Sequence, residues 1–152
     1  MSNAVEMTLD KFLAKAKQQA TPGQVTLLRR LYEWAHQEGF KIHWSPEWGT
    51  EYESWSFAPC LPEEGGKPRL FWARTYGHMT IPFDQLPEEP CMKELEAECR
   101  RRLERLGIEL SAPKEPWFDV IRLGEKEIWD GFVRTMKWYA ENYRKLKRQP
   151  AE

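Results

Sequence analysis

At 152 residues, the chain has the length of one domain and buries roughly 68–70% of its unfolded surface, so it folds without a disulfide or a structural metal. It is 41% apolar and 31% charged, with a net charge of −1, which excludes a global field that would draw nucleic acid or membrane to it. The cysteines, Cys60, Cys91 and Cys99, are odd in number and lack a Cys-x-x-Cys, which argues against a secreted disulfide scaffold and a zinc knuckle.

Thr8 to Ala20 reads as a first helix, with Thr8 as its cap and Leu9, Phe12, Leu13 and Ala16 at helical spacing. Thr21-Pro22-Gly23-Gln24 restarts the chain: Thr21 caps, Pro22 takes the first helical position and Gln24 completes a capping box. The second helix runs to about Glu38 on a stripe of Val25, Leu28, Leu31, Tyr32 and Ala35, and Gly39 ends it. Alternation then replaces helical spacing. Phe40, Ile42 and Trp44 alternate with Lys41 and His43, and Pro46-Glu47-Trp48-Gly49 makes a turn. Tyr52 to Leu61 predicts a second strand, with Pro59 ending it or placing it at an edge. After a loop with Gly65-Gly66, Arg69 to Thr75 is the third strand and Met79 to Phe83 the fourth, joined by Tyr76-Gly77-His78. Cys91 to Leu106 is a helix on Met92, Leu95, Cys99 and Leu103, closed by Gly107. Ile108 to Asp119 reads as irregular, with Trp117-Phe118 anchoring it to the core. A last helix from about Gly124 to Lys147 carries Ile128, Phe132, Met136, Tyr139 and Tyr143.

Strands clustered between helices predict an α+β fold: two N-terminal helices, a four-stranded antiparallel meander, and two C-terminal helices packed on one sheet face. We expect a single α+β domain over 5–147. Met1-Ser2-Asn3-Ala4 has the look of an expression-tag remnant, and 148–152 that of a frayed tail. No apolar run reaches the roughly 20 residues that span a membrane, and the start lacks the pattern of a signal peptide. The expected location is therefore the cytoplasm.

The sheet carries the most informative functional signal. Phe40, Ile42, Trp44, Trp55, Phe57, Met79, Ile81 and Phe83 share one face, which must lie under the helices. If Leu70 and Trp72 join them, Phe71, Ala73 and Thr75 turn outward beside Lys41, His43, Ser54, Ser56 and Thr80. A polar sheet face with a cation and an exposed ring suits single-stranded nucleic acid, since the ring stacks a base and the cation holds a phosphate. The candidate binding residues are Lys41, His43 and Phe71, with Arg69 and Arg74 beside them.

A second reading is a small metal-dependent hydrolase. His43, His78, Glu51 and Glu53 fall near one end of the strand region, and Glu51 and Glu53 share a strand face. Cys60 is the one thiol in the strand region; Cys99 sits on a helical stripe and reads as core. No nucleophile elbow, phosphate loop or dinucleotide fingerprint is present. Arg100-Arg101-Arg102 and Arg105 form the sharpest charge cluster, but Glu98 and Glu104 lie close enough to pair with it.

Leu31-Tyr32-Glu33-Trp34-Ala35 with Gly39-Phe40-Lys41-Ile42-His43-Trp44, and Leu70-Phe71-Trp72 with Gly77-His78-Met79-Thr80-Ile81-Pro82-Phe83, together resemble a small uncharacterised bacterial α+β domain. That domain occurs alone and beside modules of restriction or nuclease type. The turn Ser45-Pro46-Glu47-Trp48-Gly49 is longer and more acidic than the glycine-rich turn of that pattern. The resemblance implies no catalytic residues.

These observations make a non-catalytic binding module the leading expectation, with nucleic acid or another protein as partner, no membrane and no cofactor. The metal-dependent hydrolase is one alternative. A structural domain that forms a homodimer through its last aromatic helix is the other.

Overall fold

A computed structural model describes residues 7–47, 54–61, 68–110 and 116–148. Helix α1 (Leu9–Gln19) starts at Thr8, whose side chain accepts from Lys11 N at 3.3 Å. Helix α2 (Pro22–Gln37) starts on a complete capping box: Gln24 N donates to Thr21 Oγ1 at 3.2 Å, and Thr21 N donates to Gln24 Oε1 at 2.9 Å. Four strands follow, β1 (Lys41–Glu47), β2 (Ser54–Cys60), β3 (Trp72–Arg74) and β4 (His78–Thr80). A 3-10 turn at Phe83–Gln85 leads to α3 (Pro90–Arg105). Strand β5 (Trp117–Asp119), a second 3-10 turn at Val120–Gly124 and α4 (Lys126–Arg148) complete the chain. No described helix is long and apolar enough to cross a membrane.

The fold is α+β, but the antiparallel sheet has five strands, in the order β1-β2-β3-β4-β5. The fifth corrects the expectation that residues up to Asp119 are irregular: Met79 pairs with Phe118 and Thr80 with Trp117. Phe118 and Val120 are buried while Trp117 is exposed, an inward-outward alternation too short to read as a strand by itself. The anchoring role therefore belongs to Phe118, which meets Phe132 of α4 at 5.9 Å, and not to Trp117.

Two further corrections concern the middle of the sheet. Strand β2 runs through Pro59 to Cys60 although it lies between β1 and β3. The reason is local. Leu70 N donates to Pro59 O at 2.8 Å, so the edge of Pro59 that lacks a donor faces β3. There the ladder is interrupted between Phe57–Ala73 and the isolated bridge Cys60–Arg69. The register of β3 is also the reverse of that expected. Phe71, Ala73 and Thr75 are fully buried, and Trp72 and Arg74 point to the other face. Leu70 is buried as well, because the chain bends before the strand begins. Turning Trp72 inward would have turned Arg74 inward with it, and burying an unpaired guanidinium costs more than an indole gains.

The inner sheet face meets the helices through rings. Phe57 packs against Phe12 of α1 at 5.3 Å, Tyr32 of α2 at 5.8 Å, Trp44 at 5.8 Å and Phe71 at 6.4 Å. Phe71 continues to Phe132 of α4 at 5.8 Å. Helix α3 packs on α4, and Phe83 joins that layer through Tyr139 at 5.9 Å. Aromatic pairs of this geometry contribute about 0.5–1.5 kcal/mol each beyond the area they bury. Pro46 and Glu47, expected in a turn, instead extend β1 and pair with Trp55 and Ser54, and Arg148, expected in the frayed tail, ends α4. The rest of that turn at Trp48-Gly49, the strand residues Tyr52 and Glu53, the Gly65-Gly66 loop, Met1 to Ala4 and residues 149–152 lie outside the described residues.

Candidate functional site on the outer sheet face

The register places a defined set of side chains on the face away from the helices. One row crosses all five strands. His43 pairs with Ala58, Trp72 with Thr80, and Thr80 with Trp117, while the β2–β3 register sets Ala58 beside Trp72. The row reads His43, Ala58, Trp72, Thr80, Trp117, so a ring alternates with a small residue from strand to strand. The neighbouring row holds Ser45, Ser56 and Arg74, then His78 and Asp119.

Each ring has a neighbour. His43 and Trp72 meet edge to face at 5.9 Å and close over Ala58. The His78 imidazole stacks on the Trp117 indole at 4.7 Å with an interplanar angle of 16°. Tyr76 stands edge-on to His78 at 5.1 Å. Trp117 keeps 42% of its surface exposed; among the described residues only Ile121, at 48%, is a comparably exposed large apolar side chain. The Arg74 guanidinium donates from Nη1 to Thr80 Oγ1, which sets its charge between Trp72 and Trp117.

The other end of the face is cationic around a thiol. Arg69 Nη1 lies 3.3 Å from Cys60 Sγ, and Lys41 pairs with Cys60 across the β1–β2 ladder. Cys60 is buried, its thiol lies 3.4 Å from Ala58 O, and burial raises its pKa. A thiol held protonated this way is a poor nucleophile. Much of His43 faces solvent, yet partial burial and the Arg69 charge hold its pKa below 6.5.

Of the expected binding residues, Lys41, His43, Arg69 and Arg74 do share this face. Phe71 does not: it is 0% exposed and belongs to the core. The rings that do face outward are Trp72 and Trp117, both missed as site residues. The signal for Trp72 was its shared parity with Arg74. For Trp117 it was the alternation of Trp117 and Asp119 with Phe118 and Val120.

The four residues of the hydrolase reading are not brought together by the described structure. His43 lies on β1 and His78 on β4, so three strand spacings put their backbones about 14 Å apart. Their imidazoles turn to different partners, Trp72 and Trp117. Glu51 and Glu53 lie outside the described residues. Among the described residues no group of three or more His, Cys, Asp or Glu side chains is arranged to hold a metal ion. A concavity of about 510 Å³ between α1 and α2 is lined by Lys17, Arg29 and Thr26, whose hydroxyl donates to Pro22 O at 3.1 Å, and its described lining holds no acid. The arginine cluster of α3 is engaged locally. Arg100 pairs with Glu96 at 2.9 Å and lies over Phe83. Arg101 and Arg102 share Glu98, and Arg102 also lies over Trp138 at 3.9 Å.

No protein-family model, curated protein or solved structure matches this chain. The chemistry of the outer face is therefore what the functional reading rests on.

Proposed function

We propose that this chain is a non-catalytic binding module that engages its partner through the outer sheet face. The observation that carries the reading is Trp117. A large ring left 42% exposed on a short strand loses hydrophobic stabilisation, yet it is held flat against His78 in the same row as Trp72. Such an arrangement suits contact with a planar group from outside. The cations on the face, Lys41, Arg69 and Arg74, favour a partner that carries negative charge.

The test is an NMR titration of the isotope-labelled chain with nucleotides, heterocyclic carboxylates and short aromatic peptides. The indole N–H signals of Trp117 and Trp72 and the amides of β3 to β5 are expected to move together, while amides of α3 and α4 stay in place. Shifts confined to the helices would remove the basis of this reading.

A further inference from the structure

We infer that the outer face takes single-stranded nucleic acid, one base stacking on Trp117 and a second on Trp72. This rests on the reading of that face as the binding surface. The two indoles stand on β5 and β3, either side of Thr80 in one cross-strand row. Two strand spacings separate their backbones by about 9.6 Å. Each indole is braced separately, Trp117 by the stacked His78 imidazole at 4.7 Å and Trp72 by a T-shaped contact with His43 at 5.9 Å. They form two platforms and not one continuous stack, which matches bases that have left a helix.

The charge between the platforms agrees. Arg74, held at Thr80 Oγ1, puts a guanidinium midway along the row, where a strand crossing from one platform to the other carries its phosphate. The acid of the neighbouring row, Asp119, is turned to the fold, accepting from Gln24 Nε2 and from Ile121 N, both at 2.9 Å. A duplex is disfavoured because its base faces are hidden by stacking and pairing. A protein partner is disfavoured because stable interfaces bury about 800 Å² on each side around an apolar centre, whereas Trp117 and Ile121 are the exposed large apolar side chains among the described residues.

The experiment is fluorescence anisotropy with a labelled oligothymidylate and a duplex of equal length, at low and moderate salt. It uses the whole chain and its variants Trp117→Ala, Trp72→Leu and the pair. Trp72→Leu keeps apolar volume at a half-buried position, and thermal melting confirms that each variant is folded. The single strand is expected to bind more tightly than the duplex, and each substitution to weaken it by about 5- to 150-fold, the range for loss of one stacked base. If Trp117→Ala weakens binding and Trp72→Leu does not, the two-platform site is overturned while the outer-face reading stands. If the oligomer binds and neither substitution matters, both fall. If the single strand does not saturate the chain, the inference is overturned, and the NMR titration with peptides judges the outer face separately.

Discussion

Gln24 Nε2 donates to Asp119 Oδ1 at 2.9 Å, joining the first turn of α2 to the last strand of the sheet. The other end of the same amide, Oε1, accepts from Thr21 N at 2.9 Å and closes the capping box. The same Asp119 oxygen accepts from Ile121 N and starts the turn that leads into α4. Gly77 leaves room for this contact: a Cβ there would lie 2.5 Å from Gln24 Nε2, and its φ of +91° is one that side chains rarely adopt.

Both ends of that contact should be sensitive. Gln24→Ala removes the cap partner and the bond to Asp119 together, and is expected to cost about 2 kcal/mol in urea unfolding. Gly77→Ala is expected to cost about 1–3 kcal/mol through its backbone conformation and the displaced amide. A Gly77→Ala protein that unfolds at the wild-type urea concentration would show that the approach is not tight.

The register of β3 is tested by comparing adjacent positions. Phe71→Ala opens a cavity in the aromatic core between Phe57 and Phe132 and is expected to cost about 3–5 kcal/mol. Trp72→Leu, on the half-buried outer side, should cost clearly less. Equal losses would mean that both rings are core.

The thiols should separate by reactivity. Cys99 is fully buried, and that burial pushes its pKa up to about 12. Cys60 is buried with its pKa raised, whereas Cys91 is partly exposed. Alkylation of the native chain near neutral pH, followed by mass spectrometry, is expected to mark Cys91 first and all three only after unfolding. Rapid labelling of Cys60 in the native chain would contradict its burial.

His43 sets a pH dependence. Its pKa in the folded chain lies below 6.5, first through burial and then through the Arg69 charge. As pH falls below 6.5 the unfolded chain takes up the proton first, so stability is complete above that value. It is lost as pH falls through the lower folded-state pKa. Between about pH 7.5 and about pH 5 the melting temperature is expected to fall less for His43→Gln than for wild type. Parallel falls would remove His43 as a contributor.

Local chemistry made the helices legible. Thr8, Thr21-Pro22 and Gln24 act as caps where their side chains suggest, and Gly39 and Gly107 adopt the positive φ that helix ends favour. The long alternation of Lys41 to Trp44 was equally readable. Of the three-residue strands, β3 and β4 were legible as strands, but the parity of β3 and the existence of β5 were not, since so few positions cannot establish a period. The parity error follows from that: in Leu70-Phe71-Trp72 three large apolar residues compete, and the charge of Arg74 two residues on, with the bend at Leu70, decides which turn inward. The candidate site was half legible for the same reason. Its cations sit on β1 (Lys41), in β3 (Arg74) and just before β3 (Arg69), but its rings come together only through pairings between strands, which no single window contains.

The pairing of β4 with β5 spans the whole of α3, because Thr80 and Trp117 meet only after that helix has been made. Contacts between residues far apart along the chain are slow to form, whereas β1 to β4 are joined by nearer neighbours. Trp117 therefore owes its place to a long-range pairing, on a strand that Phe118 ties to Phe132 of α4. A chain cut short before α4 would keep Trp117 but lose the Phe132 ring against which its neighbour Phe118 packs, so the pose of the outward indole depends on a helix that supplies no residue to the outer face.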